Sequence, residues 1–271
     1  MTRTLDAAQP DLFAHCQRWR EGRASYRPAG EVFDTSRAHV EPIDEAQAKA
    51  FTIRHHYSAS YPAARCRVGL FVKRSAFAGE MLAGVAIFSV GMSPAAVPAW
   101  FPGVEAARGV ELGRFCLLDE CEANAETWFQ ARALRWAAQL LPGLDVVLSY
   151  CDPVPRTALD GSKVFPGHLG TIYAAGNAQR LGRATPRTLK LLPDGRVASE
   201  RALSKLRTDD QGAAYALQQL TRAGAPRRAV GESGADYLQR LDREGFFRRL
   251  RHPGNVVYAW DLRKAKRGGG R

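Results

Sequence analysis

The feature that most constrains the fold is a helix pattern over residues 125–141 that leads into an apolar strand pattern over 145–150. Apolar residues recur along one side of the helix, and Pro142-Gly143 ends it. Before this helix, the sequence indicates a short strand, a helix over 45–55 and three further strands. The order β–α–β–β–β–α–β–α predicts an α/β fold with antiparallel neighbours before the long helix and a crossover after it.

The chain of 271 residues is long enough for one large domain, or for one domain with an appendage. We expect an N-terminal extension over residues 1–35, a core over 36–192 and a basic C-terminal extension over 193–271, packed on the core. The N-terminal extension is expected to contain one short amphipathic helix that carries Leu12, Phe13, Cys16 and Trp19.

Basic residues are concentrated in the last third of the chain. Residues 1–179 contain 18 basic and 18 acidic side chains, whereas residues 180–271 contain 21 and 9, so the whole net charge of +12 lies in the second segment. Most of these residues are arginines, whose forked guanidinium suits phosphate oxygens, and the asymmetry favours a nucleic-acid partner over a merely solvated surface. The side chains expected to contact it are Arg180, Arg183, Arg187, Lys190, Arg248, Arg249 and Arg251.

Two further patterns bear on the class of protein. Residues 246–250 and 256–260 flank His252-Pro-Gly-Asn255, and this predicts a terminal hairpin that closes the sheet. The five cysteines are irregularly spaced without a C-x-x-C pair, so neither a zinc ribbon nor a disulfide framework is expected, and no other spacing indicates a metal site. No apolar run is long enough to span a bilayer and no signal peptide is visible, so we expect a cytoplasmic protein.

Polar side chains cluster where the strand over 145–150 ends. In open α/β sheets, side chains at the carboxyl end of a strand point into the crevice beyond the sheet. A strand that ends in a turn aspartate, followed by core-filling aromatic residues, gives the same pattern, so residue type alone leaves both interpretations open. The residues concerned are Ser149, Tyr150 and Asp152 at the strand end, and His168, Thr171 and Tyr173 at the next helix start.

Several short motifs, found in one order, make the chain similar to a known family. The motifs are His56-Tyr57-Ser58, Glu111-Leu-Gly-Arg114-Phe, Asn124-Ala-Glu-Thr127-Trp128-Phe129, Ser149-Tyr-Cys-Asp152 and Gly167-His-Leu-Gly-Thr-Ile-Tyr173-Ala-Ala-Gly-Asn177. Each is weak alone, but in this order they resemble the Mom family of phage DNA-modification proteins over roughly residues 37–207.

The resemblance implies a GNAT-like acyltransferase fold, in which a central mixed antiparallel and parallel sheet is flanked by helices. It also implies transfer of a carbamoylmethyl- or acyl-type group to N6 of adenine in double-stranded DNA. Such a mark would protect phage DNA from restriction in the host cytoplasm. The alternative is a GNAT-like N-acyltransferase for a protein or small-molecule amine, with the basic segment only tethering the enzyme to nucleic acid.

The resemblance also assigns roles to particular residues. Asp152 would accept a hydrogen bond or a proton from N6, and Tyr173 would protonate the leaving group, as a tyrosine on the equivalent helix does in GNAT enzymes. Ser149 would orient the base or the acyl carbonyl, and Arg114 would hold an anionic group. The residues expected to bind the substrate are His56, Tyr57, Tyr150 and His168.

The catalytic residues also have purely structural interpretations. Asp152 precedes a proline and can simply start a turn. Arg114 can pair with Glu111 on the same strand, Ser149 can satisfy the strand end, and Tyr173 can fill the core.

A GNAT-like fold implies acetyl-CoA or another acyl-CoA as the donor, bound where the helix over 125–141 begins. Asn124 and Thr127 are the residues expected to hold it. GNAT enzymes usually have a glycine-rich loop here, whose backbone N–H groups bind the pyrophosphate. In this chain the loop over 120–126 has no glycine and contains three carboxylates, so the usual cradle is absent.

Overall fold

The computed structural model describes residues 16–20, 23–27, 31–73, 79–91 and 93–263. The strands are β1 (Cys16–Arg20), β2 (Arg23–Arg27), β3 (Ala38–Pro42), β4 (Ala64–Lys73), β5 (Glu80–Ser89), β6 (Gly109–Leu117), β7 (Val146–Cys151), β8 (Arg156–Thr157), β9 (Lys163–Phe165), β10 (Gln179–Arg183), β11 (Arg187–Leu191), β12 (Arg248–His252) and β13 (Val256–Asp261). The α-helices are α1 (Glu45–His55), α2 (Ala96–Trp100), α3 (Ala125–Leu140), α4 (Thr171–Ala175), α5 (Glu200–Arg207), α6 (Ala213–Arg222) and α7 (Gly234–Arg243).

The chain forms two compact units. The second unit comprises Cys151–Leu169 and Arg183–Val256, and the remainder of the chain forms the first. This division differs from the linear boundary expected at residue 192. Strand β13 belongs to the first unit apart from its first residue, because its apolar side chains take an interior place in the large sheet.

The first unit is built on a seven-stranded sheet in the order β10-β13-β7-β6-β5-β4-β3. Strands β3 to β6 are antiparallel neighbours, whereas β6 and β7 are parallel and are connected through α3. The mixed α/β class predicted from the sequence is therefore confirmed. Helix α1 has the predicted bounds, and the Asp44 carboxylate caps it by accepting a 2.7 Å hydrogen bond from the backbone N–H of Gln47.

Helices cover both faces of this sheet. Phe51 of α1 belongs to one core cluster with Ile87 of β5. Phe129 of α3 stacks on Phe115 of β6, with ring centroids 5.2 Å apart. Since Phe115 pairs with Ala86, the neighbour of Ile87, and adjacent strand residues alternate between faces, α1 and α3 lie on opposite faces.

Strands β6 and β7 diverge in the middle of the sheet. Their register consists of three residue pairs, the last of which is Glu111 with Leu148. Strand β6 continues to Leu117 and β7 to Cys151 without further register pairs between them. The residues just beyond the last pair therefore lie where two central strands separate.

The second unit has its own core. Helices α5, α6 and α7 bury a cluster that includes Leu203, Leu206, Leu220, Tyr237 and Leu241. Strands β11 and β12 of this unit form an antiparallel pair, as do β8 and β9. Across the ranges described above, none of the helices is both long and apolar enough to cross a membrane.

Two expectations about the ends of the chain are wrong. Cys16–Arg20 and Arg23–Arg27 form an antiparallel pair of strands instead of part of a helix. The remainder of that expected helix lies outside the described residues. The terminal hairpin does not form either, because β12 pairs with β11 whereas β13 lies between β10 and β7. Five buried residues in β13 suit a central strand, whereas the exposed arginines of β12 suit a small exposed sheet.

Candidate active site

A β-bulge in β6 brings two charged residues to the same face of the sheet. Glu111 pairs with Ser89 and Arg114 pairs with Ile87, with Gly113 inserted as the extra residue. Residues three apart on a regular strand point to opposite faces, so the inserted residue is what places Glu111 and Arg114 together. A Cβ on Gly113 would lie 2.4 Å from Oγ of Ser89, and this close approach explains the glycine.

We expect Gly113→Ala to lower the free energy of unfolding by about 1–2 kcal/mol through overpacking against Ser89. In Gly113→Ala/Ser89→Ala the opposing hydroxyl is gone, so most of this loss should disappear relative to Ser89→Ala alone. Urea unfolding of the four proteins measures both effects. Equal losses in the two backgrounds would show that the hydroxyl is not the cause.

Arg114 is held by the loop that follows α1. Its Nε donates to the carbonyl oxygen of Ser60 at 2.9 Å, and its Nη2 donates to Oγ of the same residue at 2.8 Å. Burial lowers the pKa of Arg114, whereas electrostatic interactions with Tyr57, Glu111 and Tyr173 act in the opposite direction. These three groups therefore lie within electrostatic range of the guanidinium, which stays charged at any physiological pH.

Ser149 and Tyr150 lie where β6 and β7 diverge. Ser149 is buried, and its Oγ donates to the carbonyl oxygen of Leu112 at 3.3 Å, one residue beyond the last register pair. Burial raises the pKa of Tyr150, and the carboxylate of Glu111 raises it further. We refer to Tyr57, Glu111, Arg114, Tyr150 and Tyr173 as the Arg114 cluster.

Tyr173 combines a buried ring with a hydroxyl group that lies within electrostatic range of Arg114. Its side chain is 7% exposed and packs edge to face on Tyr258 and Trp260, with centroids 5.9 and 5.7 Å away. Its ring therefore fills the core beside β13, while its hydroxyl group interacts electrostatically with Arg114.

His56 orders the segment that carries Tyr57. Its Nδ1 accepts a 3.1 Å hydrogen bond from the backbone N–H of Ser58 and lies 2.8 Å from Oγ of that residue. The imidazole also packs on the ring of Tyr57, with centroids 4.3 Å apart. Tyr57 itself is 50% exposed, so its ring is accessible to a substrate.

Asp152 lies in the second unit and is surrounded by hydrogen-bond donors. Its Oδ1 accepts from the backbone N–H of Val154 at 3.0 Å and lies 2.8 Å from Nε2 of His252, while its Oδ2 accepts from Nη1 of Arg156 at 2.5 Å. Burial alone would raise the pKa of Asp152, but the hydrogen bonds from His252, Arg156 and Val154 outweigh it and lower the pKa. Asp152 therefore makes a turn contact, with the backbone N–H of Val154, and at the same time an ion pair with Arg156.

The imidazole of His252 is fully buried and has a defined tautomer. Its Nδ1 accepts a 3.1 Å hydrogen bond from the backbone N–H of Gly254, so Nε2 carries the proton that is donated to Asp152. In the same unit, the backbone N–H of His168 donates to the carbonyl oxygen of Asp152 at 2.6 Å. Burial lowers the pKa of His168, with Asp152 opposing the shift.

The beginning of α3 does not fit a diphosphate. Asn124 is the N-cap in a left-handed conformation, and Oγ1 of Thr127 donates to its carbonyl oxygen at 3.2 Å. The backbone N–H of Ala123 donates to the carboxylate of Glu31 at 3.4 Å. The same loop also contains Glu120, Glu122 and Glu126. These three carboxylates, together with that of Glu31, would repel a diphosphate that approached these N–H groups.

The basic residues expected to bind nucleic acid are divided between the units. Arg180 lies in the first unit, and the other six lie in the second. In the pairing of β11 with β12, Thr188 faces Arg251 and Lys190 faces Arg249, so these four side chains share one face, which we call the basic face. Asp242 of α7 partly neutralises it through ion pairs with Lys190 at 2.5 Å and Arg249 at 3.9 Å.

The other three arginines of this set that lie in the second unit contact backbone or amide oxygens of that unit. Arg183 donates to the carbonyl of Gly254, Arg187 to the side chain of Asn255 and Arg248 to the carbonyl of Thr157. Within the described ranges, no group of three or more His, Cys, Asp or Glu residues could hold a metal ion.

A family model identifies the group of proteins to which the chain is related. The model of the Mom protein family matches residues 37–232, which include the Arg114 cluster and Asp152. The chain belongs to the Mom protein family. Mom proteins act on DNA and are associated with adenine modification in phages. A search of curated proteins gave no match.

Some residues of the site were not among those that the sequence analysis predicted to be functional. Glu111 had one local signal, a carboxylate within an apolar strand, two residues before a glycine. Ser60, Arg156 and His252 had none, and His252 is separated from Asp152 by 100 positions in the chain.

Proposed function

We propose that the chain is a GNAT-like DNA-modifying transferase that adds a carbamoylmethyl- or an acyl-type group to N6 of adenine in double-stranded DNA, and thereby protects phage DNA from restriction. The supporting observation is the Arg114 cluster at the divergence of β6 and β7, in a chain whose family acts on DNA. The cluster brings a cation, a carboxylate and phenol hydroxyls together, and group transfer to an amine needs groups of these kinds.

The amino group of adenine is a poor nucleophile because its lone pair is delocalised into the ring. In the transfer, a bond forms between N6 and the donor carbon, the bond to the leaving group breaks, and N6 loses a proton. Arg114 stabilises negative charge that develops on the donor, and Tyr173 supplies a proton to the leaving group. Glu111 accepts the proton from N6, directly or through water. Tyr57 offers an exposed ring on which an extruded base can stack.

Asp152 acts as a positioning residue in this proposal. Three donors engage its carboxylate and its pKa is lowered, so it is a weak base at neutral pH. Through Arg156 and His252 it connects the segment after β7 to β12, the strand that carries Arg249 and Arg251. Its contribution to DNA modification is to orient the basic face.

The basic face provides a test of DNA binding. We expect Arg249→Gln/Arg251→Gln to weaken binding of a short DNA duplex. The slope of log affinity against log salt concentration should also fall in magnitude by about 1–2, because each phosphate contact contributes about 0.9 to it. Fluorescence anisotropy at several salt concentrations measures both. Arg222→Gln/Arg227→Gln removes the same charge from exposed positions elsewhere in this unit, and an equal effect of that pair would contradict a specific role for the basic face.

Mass spectrometry of nucleosides tests the proposed activity as a whole. Plasmid DNA from bacterial cells that express the chain should contain a nucleoside heavier than deoxyadenosine, and the plasmid should resist restriction enzymes whose sites contain adenine. If all nucleosides are unmodified and the purified chain instead acylates a protein or small-molecule amine, the proposal fails and the alternative N-acyltransferase is correct.

A further inference from the structure

A cavity of about 450 Å³, wide open to solvent, lies in the first unit beside β3 and α3. This volume is within the range of pockets that hold small ligands. The residues around it include His39 of β3 and Trp128, Arg132 and Arg135 of α3. Arg114 lies on the sheet face that α1 covers, so the cavity is separate from the Arg114 cluster.

Two arginines on one turn of α3 give this cavity its charge. Arg132 and Arg135 both line it, and the positive charge of Arg135 acts on Arg132. Among the residues that the structure describes, no carboxylate forms an ion pair with either of them. The nearby carboxylates of Glu41 and Glu80 instead lie beside His39, at 3.6 Å and 3.5 Å from its ring nitrogens. Two adjacent cations that no described carboxylate pairs with repel each other, and a bound anion would relieve this repulsion.

The walls of the cavity are held in place. The guanidinium of Arg132 lies 3.6 Å from the centroid of the Trp128 ring, and its Nη1 donates to the carbonyl oxygen of Trp128 at 3.3 Å. Phe33 packs edge to face on the same indole, with centroids 5.3 Å apart. Nε1 of Trp136 donates to the carbonyl oxygen of Val40 at 2.8 Å and so ties α3 to β3. A guanidinium stacked in this way loses little conformational entropy when its remaining N–H groups bind an oxyanion.

We propose that this cavity binds a phosphoanion, with Arg132 and Arg135 donating hydrogen bonds to its oxygens. Planar guanidinium groups match the geometry of phosphate oxygens and bind them through paired hydrogen bonds. Because Arg132 covers one face of Trp128 and Phe33 also packs on the indole, we direct the proposal at the phosphate and not at a stacked base. The phosphoanion is either a phosphodiester of the DNA backbone or the phosphate of a free nucleotide, and both present the same oxygens to the two arginines.

The test compares Arg132→Gln/Arg135→Gln with a matched control, Lys49→Gln/Arg54→Gln, which removes two exposed charges from α1 of the same unit. Titration calorimetry with inorganic pyrophosphate and with adenosine monophosphate measures binding of free phosphoanions. Fluorescence anisotropy with a short DNA duplex measures binding of the backbone. All measurements use the full chain.

We expect at least about a tenfold loss of affinity for one of these probes in the cavity variant and no comparable loss in the control, because charge-assisted hydrogen bonds are removed. Loss for pyrophosphate and the nucleotide alone identifies a free phosphorylated ligand, and loss for the duplex identifies the DNA backbone. The proposal is overturned if the cavity variant binds every probe as the wild type does, or if the control loses as much. Arg135→Gln alone, at an exposed position, decides the question if the double variant does not fold.

Discussion

Replacing Arg114 by glutamine is expected to lower the fraction of modified adenine in DNA at least about a hundredfold, the effect typical of removing a donor that stabilises developing charge. Glutamine keeps some hydrogen-bonding capacity toward Ser60 but removes the positive charge that Tyr57, Glu111 and Tyr173 surround. The modified fraction is measured by nucleoside mass spectrometry of plasmid DNA from cells that produce equal amounts of soluble protein.

Two comparisons isolate the role of the Arg114 guanidinium. Arg114→Lys keeps the charge but not the forked geometry, so we expect an intermediate loss. Arg54→Gln removes an exposed charge from α1 and should leave the modified fraction unchanged. Full modification of DNA in cells that produce Arg114→Gln would show that Arg114 has no role in the reaction.

Replacing Asp152 by alanine is expected to lower the free energy of unfolding by about 2–4 kcal/mol, because a partly buried ion pair loses one partner. The substitution leaves Arg156 and His252, which are almost completely buried, without their acceptor. Urea unfolding at neutral pH measures the loss. In the Arg156→Met background the same substitution should cost clearly less, since the unpaired guanidinium is absent.

The stabilisation by Asp152 also depends on pH. Its pKa in the folded protein is below the ordinary value of 3.8, so the contribution is complete above that value and is lost as the pH falls through the lower folded pKa. The difference in stability between wild type and Asp152→Ala should therefore shrink in acid. A difference that stays constant down to strongly acidic pH would contradict the ionic account of this contact.

Asp152→Asn distinguishes a positioning role from a proton-transfer role. The amide keeps one acceptor oxygen for His252 or Arg156, so we expect the variant to fold, with a loss of about 1–2 kcal/mol, and to retain measurable DNA modification. A variant that folds and binds DNA normally but forms no modified adenine would show that the Asp152 carboxylate transfers the proton.

Local periodicity was sufficient to predict the elements that build the large sheet. Helix α1 and strands β3 to β7 follow the predicted pattern because their apolar spacing is set by burial on one or two faces. The bulge at Gly113 could not be predicted, since it exists only in the register between β6 and β5. For the same reason the sequence could not show that Glu111 and Arg114 share a face.

The wrong prediction of a terminal hairpin over residues 246–260 has a similar cause. His252-Pro-Gly-Asn255 has the composition of a tight turn, and local turn chemistry predicts that the flanking strands pair with each other. The partner of β12 is instead β11, about 60 positions earlier. Gly254 fits here because a Cβ would lie 1.8 Å from the carbonyl oxygen of Ala184. Contacts between distant segments, which a single sequence does not display, thus determine where the strand after the turn goes.

The central claim is that N6 of adenine accepts the transferred group, and tandem mass spectrometry of the modified nucleoside tests it most directly. DNA from cells producing the wild-type chain should contain an adenine whose added mass stays with the base on fragmentation and is attached at N6. DNA from cells producing Arg114→Gln should contain almost none of it. Added mass on another base or on the sugar, or no added mass with soluble wild-type protein, would contradict the account.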